Sequence, residues 1–323
     1  MSRNWHAATA PLRQEFRTLL DPERLRELHA TSGWRHGAVA GRQFLLAAAA
    51  VWLIVRFPEK WVWIPAAVLL GFLVFSFTVL LHEVVHRAVF RRRHGPANRM
   101  LAWLYALPSG LAPSQFERWH LDHHAELGTD EKDPKRHYLT PKLVRRWFKA
   151  LYFTPALFPI YFRAAAREAA HYPPELRARL RRERAVVMTV HVAVMAVMVL
   201  LLGWGVLLKL YVIPVFFVFP IAFTINRLGQ HYDITPDDPA AWGTIIRANF
   251  VWDFLFLWSN YHMEHHYFPA VPFYNLPALH RELEPIFLRH PLRIRTYSGL
   301  LYDWLIRNRQ PHSAWNTSHS ESP

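Results

Sequence analysis

The sequence predicts an all-α integral membrane protein: four transmembrane helices in two hairpins, with a cytosolic helical cap that carries clustered histidines. Three observations point there. Of the 323 residues, 52% are hydrophobic and 15% aromatic while only 19% are charged, and the apolar ones fall into long uncharged runs separated by arginine-rich stretches, as in chains divided between bilayer and water. Run length is the second observation. A bilayer core takes about 20 apolar residues in a helix, and four stretches approach this: 36–55, 61–81, 185–203 and 206–225. The third is that the histidine clusters all fall on one predicted side of the membrane.

Taken in order, residues 1–35 are polar and hold no signal-peptide core, so nothing there reads as cleaved. The first two spans are separated only by RFPEK, with Pro58 as breaker, and the last two by Gly203-Trp204-Gly205, so each pair is a hairpin with a short outer turn. Of 38 Lys and Arg, only Arg56, Lys60 and Lys209 lie near those turns. Both termini and the long central loop are therefore expected in the cytoplasm. Three apolar segments are too short to span: 100–113, 150–162 and 249–258. Each is rich in Trp, Tyr or Phe, and the second follows Lys142, Arg145, Arg146 and Lys149. They read as interfacial helices, or as core helices of the cap. The expected organisation is one domain over 1–323: a cytosolic segment 1–35, a hairpin 36–81, cap 82–184, a second hairpin 185–225, cap 226–307, and a polar, disordered tail 308–323.

A formal charge of +14 would also suit a nucleic-acid binder. Such domains do not carry charge-free runs of bilayer length, so no nucleic acid is expected. Arginine and alanine richness is compatible with a high-GC bacterium, hence with an inner membrane. The absence of cysteine excludes disulfides, iron–sulfur clusters and thiolate-ligated haem, and leaves histidine and carboxylate as metal ligands.

Twenty histidines are present. Eleven are scattered and read as surface or packing residues: His6, His29, His36, His94, His137, His171, His191, His280, His290, His312 and His319. The other nine are patterned. His82 and His86 lie in HEVVH; His120, His123 and His124 in RWHLDHH; His262, His265 and His266 in NYHMEHH; and His231 stands alone in GQHYD just past the fourth span. Residues three or four apart share a helix face, so each cluster aims its imidazoles at one region. HEVVH alone matches a zinc-peptidase signature, with Glu83 as general base. One zinc takes four ligands, usually three from protein in a catalytic site, so nine imidazoles on one side exceed its needs. Two metals are a sensible count. Imidazole suits iron, copper, nickel and zinc alike, so ligand type does not name the metal.

The three clusters, in this order and spacing, resemble the membrane fatty-acid desaturase and hydroxylase superfamily, with its H-x3-4-H, H-x2-3-H-H and H/Q-x2-3-H-H boxes. The resemblance covers roughly residues 40–285 and is strongest over 116–134 and 259–280. It implies four transmembrane helices under a cytosolic cap, two iron ions held by His82, His86, His120, His123, His124, His231, His262, His265 and His266, and O2-dependent attack on unactivated C–H bonds of a lipid chain. His231 takes the place of the isolated histidine that ligates iron in the family. His262, in place of glutamine, argues against the front-end desaturases. No b-type cytochrome domain is fused to the boxes, so electrons are expected from a separate ferredoxin or cytochrome. In some relatives an asparagine near the isolated histidine holds a water at the metal, and Asn226 stands in that region.

Metal-bound imidazoles are usually oriented by an acceptor for their other N–H. Glu83, Asp122, Asp133 and Glu264 are the main candidates, with Asp130 and Asp233 behind them. Trp103, Tyr105, Phe116, Trp119, Trp252 and Trp258 lie near the boxes and are candidates to line a substrate tunnel, against the commoner reading as belt or core residues. Arg91, Arg92 and Arg93 offer an anion-attracting run beside box one, or a contact with anionic lipid. The leading expectation is a desaturase acting on a fatty acyl chain; a hydroxylase or carotenoid ketolase on the same scaffold is the alternative, and a membrane zinc peptidase the third.

Overall fold

The computed structural model describes residues 5–90, 95–127, 132–141, 143–231, 243–247, 249–290, 292 and 294–309. The expectations for Arg91, Arg92, Arg93, His94, Asp130, Asp233, His312, His319 and the tail from 310 fall outside those residues. The described chain is almost entirely helical. Short helices α1 (Trp5–Ala8), α2 (Ala10–Leu19) and α3 (Pro22–Leu28) precede the spans α4 (Gly33–Arg56) and α5 (Lys60–Val85). Then come α6 (Pro96–Ala106), α7 (Pro113–Glu126), α8 (Arg146–Ala150), α9 (Leu157–Ala169) and the third span α10 (Pro174–Leu202). The fourth span, Trp204–Leu228, comprises α11 (Trp204–Leu207), a wider π-helical stretch over Leu208–Val218, and α12 (Phe219–Leu228). After it follow α13 (Phe250–Leu255), α14 (His262–Tyr267), α15 (Leu276–Phe287) and α16 (Tyr297–Leu301). Among the described residues the strands are two residues each, Ile245–Ile246 and Ile294–Arg295, paired in parallel.

Four helices are long and apolar enough to cross a membrane, as the composition predicts. Two extend well beyond their apolar runs. α5 continues through box one to Val85, and α10 starts at Pro174, eleven residues before the uncharged run begins at Ala185. The expected boundary at 185 marked where the chain becomes apolar. Arginine is a good helix former, and Pro174 at the first turn suits a helix start, so the helix begins earlier. The π-helical stretch contains Pro214, whose missing N–H and bulky ring disturb regular α-helical bonding.

The chain divides into two compact units. One comprises Ser32–Arg118 and Tyr152–Thr224, and so holds the spans and box one. Spans two and four are its interior, with 56% and 44% of their apolar windows buried against 22% and 6% for spans one and three. Ala50, Ile54, Ala66, Ala67 and Leu210 make one buried cluster between the spans. Further along, the second and fourth spans approach so closely at Gly71 that an added Cβ would lie 2.4 Å from Val218 Cβ and 2.8 Å from the Pro214 carbonyl. Gly203, at φ +79°, makes the turn between spans three and four. The start of α7 is clamped by α10: Glu183 accepts from the Ser114 backbone N–H at 2.9 Å and from its hydroxyl at 2.7 Å. Glu183 is itself buried and held by Arg179 at 3.0 Å.

The other unit comprises Met1–Thr31, Trp119–Leu151 and Ile225–Pro323. Its core is aromatic: Phe16 packs on Tyr267, Phe268 and Phe287, while Leu279 and Leu283 are fully buried. Trp252 stacks on Phe256 and meets Tyr297 edge-on, and Trp258 stacks on Phe273. These two tryptophans, candidates for tunnel walls, are packing residues. Tyr105, in the span unit, is likewise buried, with its hydroxyl 2.9 Å from His36 Nε2.

Candidate metal centre

α7 carries His120, His123 and His124 at i, i+3 and i+4, so the three rings share one side of the helix. α14 repeats the arrangement with His262, His265 and His266. His231 follows the end of α12 through Gly229, where a Cβ would come within 2.8 Å of Tyr297 Cε1 and 3.0 Å of Ile246 Cγ1. The chain can turn that tightly there only because glycine has no side chain.

Within this unit His123, His231, His262 and His266 converge. Nε2 of His231 lies 3.0 Å from Nε2 of His123, 3.0 Å from that of His262 and 3.1 Å from that of His266, while His262 and His266 are 3.0 Å apart. An imidazole nitrogen offers one in-plane N–H or one lone pair, so His231 Nε2 can satisfy only one of three neighbours by hydrogen bonding. Four lone pairs facing one point suit a cation. A tetrahedral shell with bonds of about 2.1 Å has edges of about 3.4 Å, close to what these nitrogens make. All four side chains are buried. Burial, then the other histidines and Lys135, pushes His262 well below its ordinary pKa, and burial with the neighbouring histidines does the same for His266. Burial thus favours the neutral form of these two rings, the form that metal ligation requires.

Beside this group, His120, His124 and His265 offer ring nitrogens within 4.8 Å of one another, with His265 Nε2 3.1 Å from His124 Nε2. His124 and His266 stack at 4.1 Å between ring centres. In the span unit, His82 and His86 sit at the end of α5 with ring centres 4.6 Å apart. His86 caps that helix and Arg87 follows in the left-handed region at φ +59°.

Among the candidate carboxylates, Asp133 lies against a box histidine. Its Oδ1 accepts from His123 Nδ1 at 2.8 Å, and from the backbone N–H groups of Lys135 at 3.0 Å and Arg136 at 3.4 Å. This leaves His123 Nε2 for the centre. Burial raises the Asp133 pKa, opposed by His231, Lys135 and the two backbone donors. Glu83 lies 3.3 Å from Nδ1 of His82, and Asp122 is half-buried on α7. Glu264 holds His280, Nδ1 to Oε1 at 2.5 Å. Burial would lower the His280 pKa, but the bond to Glu264 and its charge outweigh that and raise it. The Asn226 amide donates to Ser259 at 2.8 Å and accepts from Gln230 at 2.8 Å.

Three contacts were not anticipated. His280, read as scattered, supports box three through Glu264 and packs on Tyr261. Lys135 Nζ lies 3.2 Å from His120 Nδ1, with its pKa lowered to about 7 by burial and then by Arg227. The N-terminal helices cover the centre: Trp5, 2% exposed, meets His266 edge-on at 5.7 Å, and His6 Nε2 lies 3.0 Å from the His124 carbonyl. In the sequence only scattered apolar residues such as Trp5, Leu12 and Phe16, set in a largely polar stretch, hint at this.

Comparison with known proteins adds to this geometry. A model of the fatty acid desaturase family matches residues 58–298. The chain is 26% identical over 277 residues to the Homo sapiens sphingolipid delta(4)-desaturase/C4-monooxygenase DES2, covering 82% of this chain and 78% of that protein. It is 24% identical over 273 residues to the Drosophila melanogaster sphingolipid delta(4)-desaturase DES1, covering 83% and 80%. The Mus musculus DES2 is 27% identical over 278 residues, covering 82% and 78%. With the family match running from the foot of the second span to beyond box three, and with His231 and the histidines of boxes two and three gathered as described, the chain belongs to the fatty acid desaturase family and is a membrane oxidoreductase.

Proposed function

We propose that the protein is an O2-dependent di-iron enzyme that introduces a double bond into the acyl chain of a membrane lipid, with electrons from a separate ferredoxin or b-type cytochrome. The observation that carries this reading is the set of four buried Nε2 atoms joined by four contacts of 3.0–3.1 Å that hydrogen bonding alone cannot satisfy. His123, His231, His262 and His266 would hold one iron. His120, His124 and His265 would serve the second, joined by His82 and His86 on the family's three-box pattern. Bound iron supplies the one-electron oxygen chemistry that no side chain here can perform.

The protein's own part is narrower. Asp133 orients His123, burial disfavours protonation of His262 and His266, and Trp5 with its aromatic neighbours keeps water from the centre. The charge asymmetry of the loops favours a cytoplasmic centre, and the arginine- and alanine-rich composition fits a bacterial inner membrane. Oxygen insertion is the second reading, favoured by one observation: a relative carries both desaturase and C4-monooxygenase in its name. Those relatives act on sphingolipids by name, which makes a long-chain lipid the substrate class to test first. The HEVVH peptidase reading has no support from the family.

The test is expression in a host lacking such activity, metal analysis of the purified protein, and mass spectrometry of host lipids with and without O2. Loss of two hydrogens marks desaturation and gain of one oxygen marks hydroxylation. Products that form without O2, or one zinc per chain, would overturn the proposal.

A further inference from the structure

Away from the histidines, the span unit contains a recess of about 240 Å³ between the loop ahead of α7, the first turn of α7, α9 and α10. Its walls are mainly apolar, with Leu111, Phe116, Phe162, Val187 and Met188 among them, and its polar contributors are Gln115, Tyr161 and Arg184. That is smaller than the roughly 300–1,000 Å³ of sites for drug-sized ligands, and suits part of one unbranched chain. A few polar groups at the edge of an apolar recess fit a ligand with one charged end.

The charge at that edge has a definite sign. Arg184 donates Nε and Nη2 to Gln115 Oε1, the former at 3.0 Å, and no carboxylate pairs with it among the described residues. The nearest acid in sequence, Glu183, is engaged by Ser114 and Arg179. Nη1 of Arg184 therefore remains available to an anion. Arg177, Arg179, Arg181 and Arg182 stand just before it on α10, and the uncharged run begins just after it at Ala185. This is the level at which a bilayer places its phosphates.

We propose that the recess binds one anionic membrane phospholipid, its phosphate on Arg184 and one acyl chain against Phe116, Phe162, Val187 and Met188. The proposal is independent of the reaction assigned above. The bound lipid would also bear on the metal-binding helix, because Gln115 joins Arg184 to the Ala165 carbonyl, at 2.9 Å, from the first turn of α7. Arginine pairs with phosphate through two parallel N–H bonds, which zwitterionic phosphatidylcholine answers less well because its choline offsets the charge.

Native mass spectrometry of the full chain released from nanodiscs containing equal phosphatidylglycerol and phosphatidylcholine tests this. The wild type is expected to retain one phosphatidylglycerol. Arg184→Gln should reduce that preference by about tenfold or more, the scale of a charge-assisted bond. Arg182→Gln, an exposed arginine whose side chain does not line the recess, should retain it. Met188→Trp, at an exposed position on the recess wall, should block the chain while leaving Arg184 in place. Equal retention of the two lipids by the wild type, or undiminished phosphatidylglycerol on both Arg184→Gln and Met188→Trp, would overturn the site. Displacement of phosphatidylglycerol by equimolar oleate would overturn the assignment to phospholipid.

Discussion

Removing the Asp133 carboxylate should weaken the four-histidine centre before it weakens anything else. In Asp133→Ala the buried His123 Nδ1 and the half-buried Lys135 and Arg136 N–H groups lose their acceptor, now at 2.8, 3.0 and 3.4 Å from Oδ1. The backbone donors bear on the local turn. The imidazole donor bears on the metal, because without its acceptor the His123 ring is free to rotate or change tautomer and withdraw Nε2. An unsatisfied buried donor costs about 1–3 kcal/mol, which at 1.4 kcal/mol per decade is roughly 5- to 150-fold in affinity. Outer-shell partners of metal ligands typically cost a similar ~10–100-fold. Asp133→Asn keeps an oxygen acceptor and loses only the charge, so its loss should be the smaller. The assay is metal content after equilibration with increasing chelator, with thermal unfolding of the same samples as a folding control. Alanine should release one of two ions at lower chelator, with asparagine between it and the wild type. A folded Asp133→Ala protein that keeps both ions at wild-type chelator levels would refute the assigned role of Asp133.

Three further perturbations test other parts of the structure. Trp5→Ala removes an aromatic cover 5.7 Å from the His266 ring; chelator should strip metal severalfold faster, Trp5→Phe should restore most of the protection, and an unchanged rate in Trp5→Ala would show that the N-terminal helices do not seal the centre. Gly71→Ala forces a methyl to within 2.4 Å of Val218, an overpacking of about 1–3 kcal/mol that should lower the thermal midpoint, whereas Gly41→Ala, with nothing within 4 Å, should not. Lys149 is fully buried, donates to the Arg309 carbonyl at 2.9 Å, and has its pKa lowered to about 8, by burial first and then by Arg146. A folded pKa depressed below the unfolded 10.5 means that the unfolded chain binds more protons between about pH 8 and 10.5. This lysine's contribution therefore rises with pH across that window and is lost as pH falls through about 8; Lys149→Met should remove that part of the pH dependence of the unfolding midpoint.

The parts of this protein legible in sequence are those written in short-range pattern. Run length and charge segregation gave four spans because a bilayer imposes both on any helix that crosses it. Spacing within α7 and α14 gave two sets of candidate ligands because residues three and four apart share a face whatever the rest of the chain does. His231 has no such partner, and its position just past the fourth span is what marked it. Beyond that range the pattern weakens. Asp133 and Glu264 are both carboxylates near box histidines, and one orients His123 while the other holds His280, fourteen residues past box three's last histidine on α15. Nothing local separates them, since the deciding quantity is the direction of each side chain after α14 and α15 have packed. The start of α10 is not written in hydropathy for a related reason. Hydropathy reports where the chain enters apolar surroundings, while helix propensity and Pro174 set where the helix begins. The eleven residues between those points carry the arginines that ready the chain's charged face and the Glu183 that clamps α7, so the segment least visible to a search for spans is the one that fixes the start of the box-two helix.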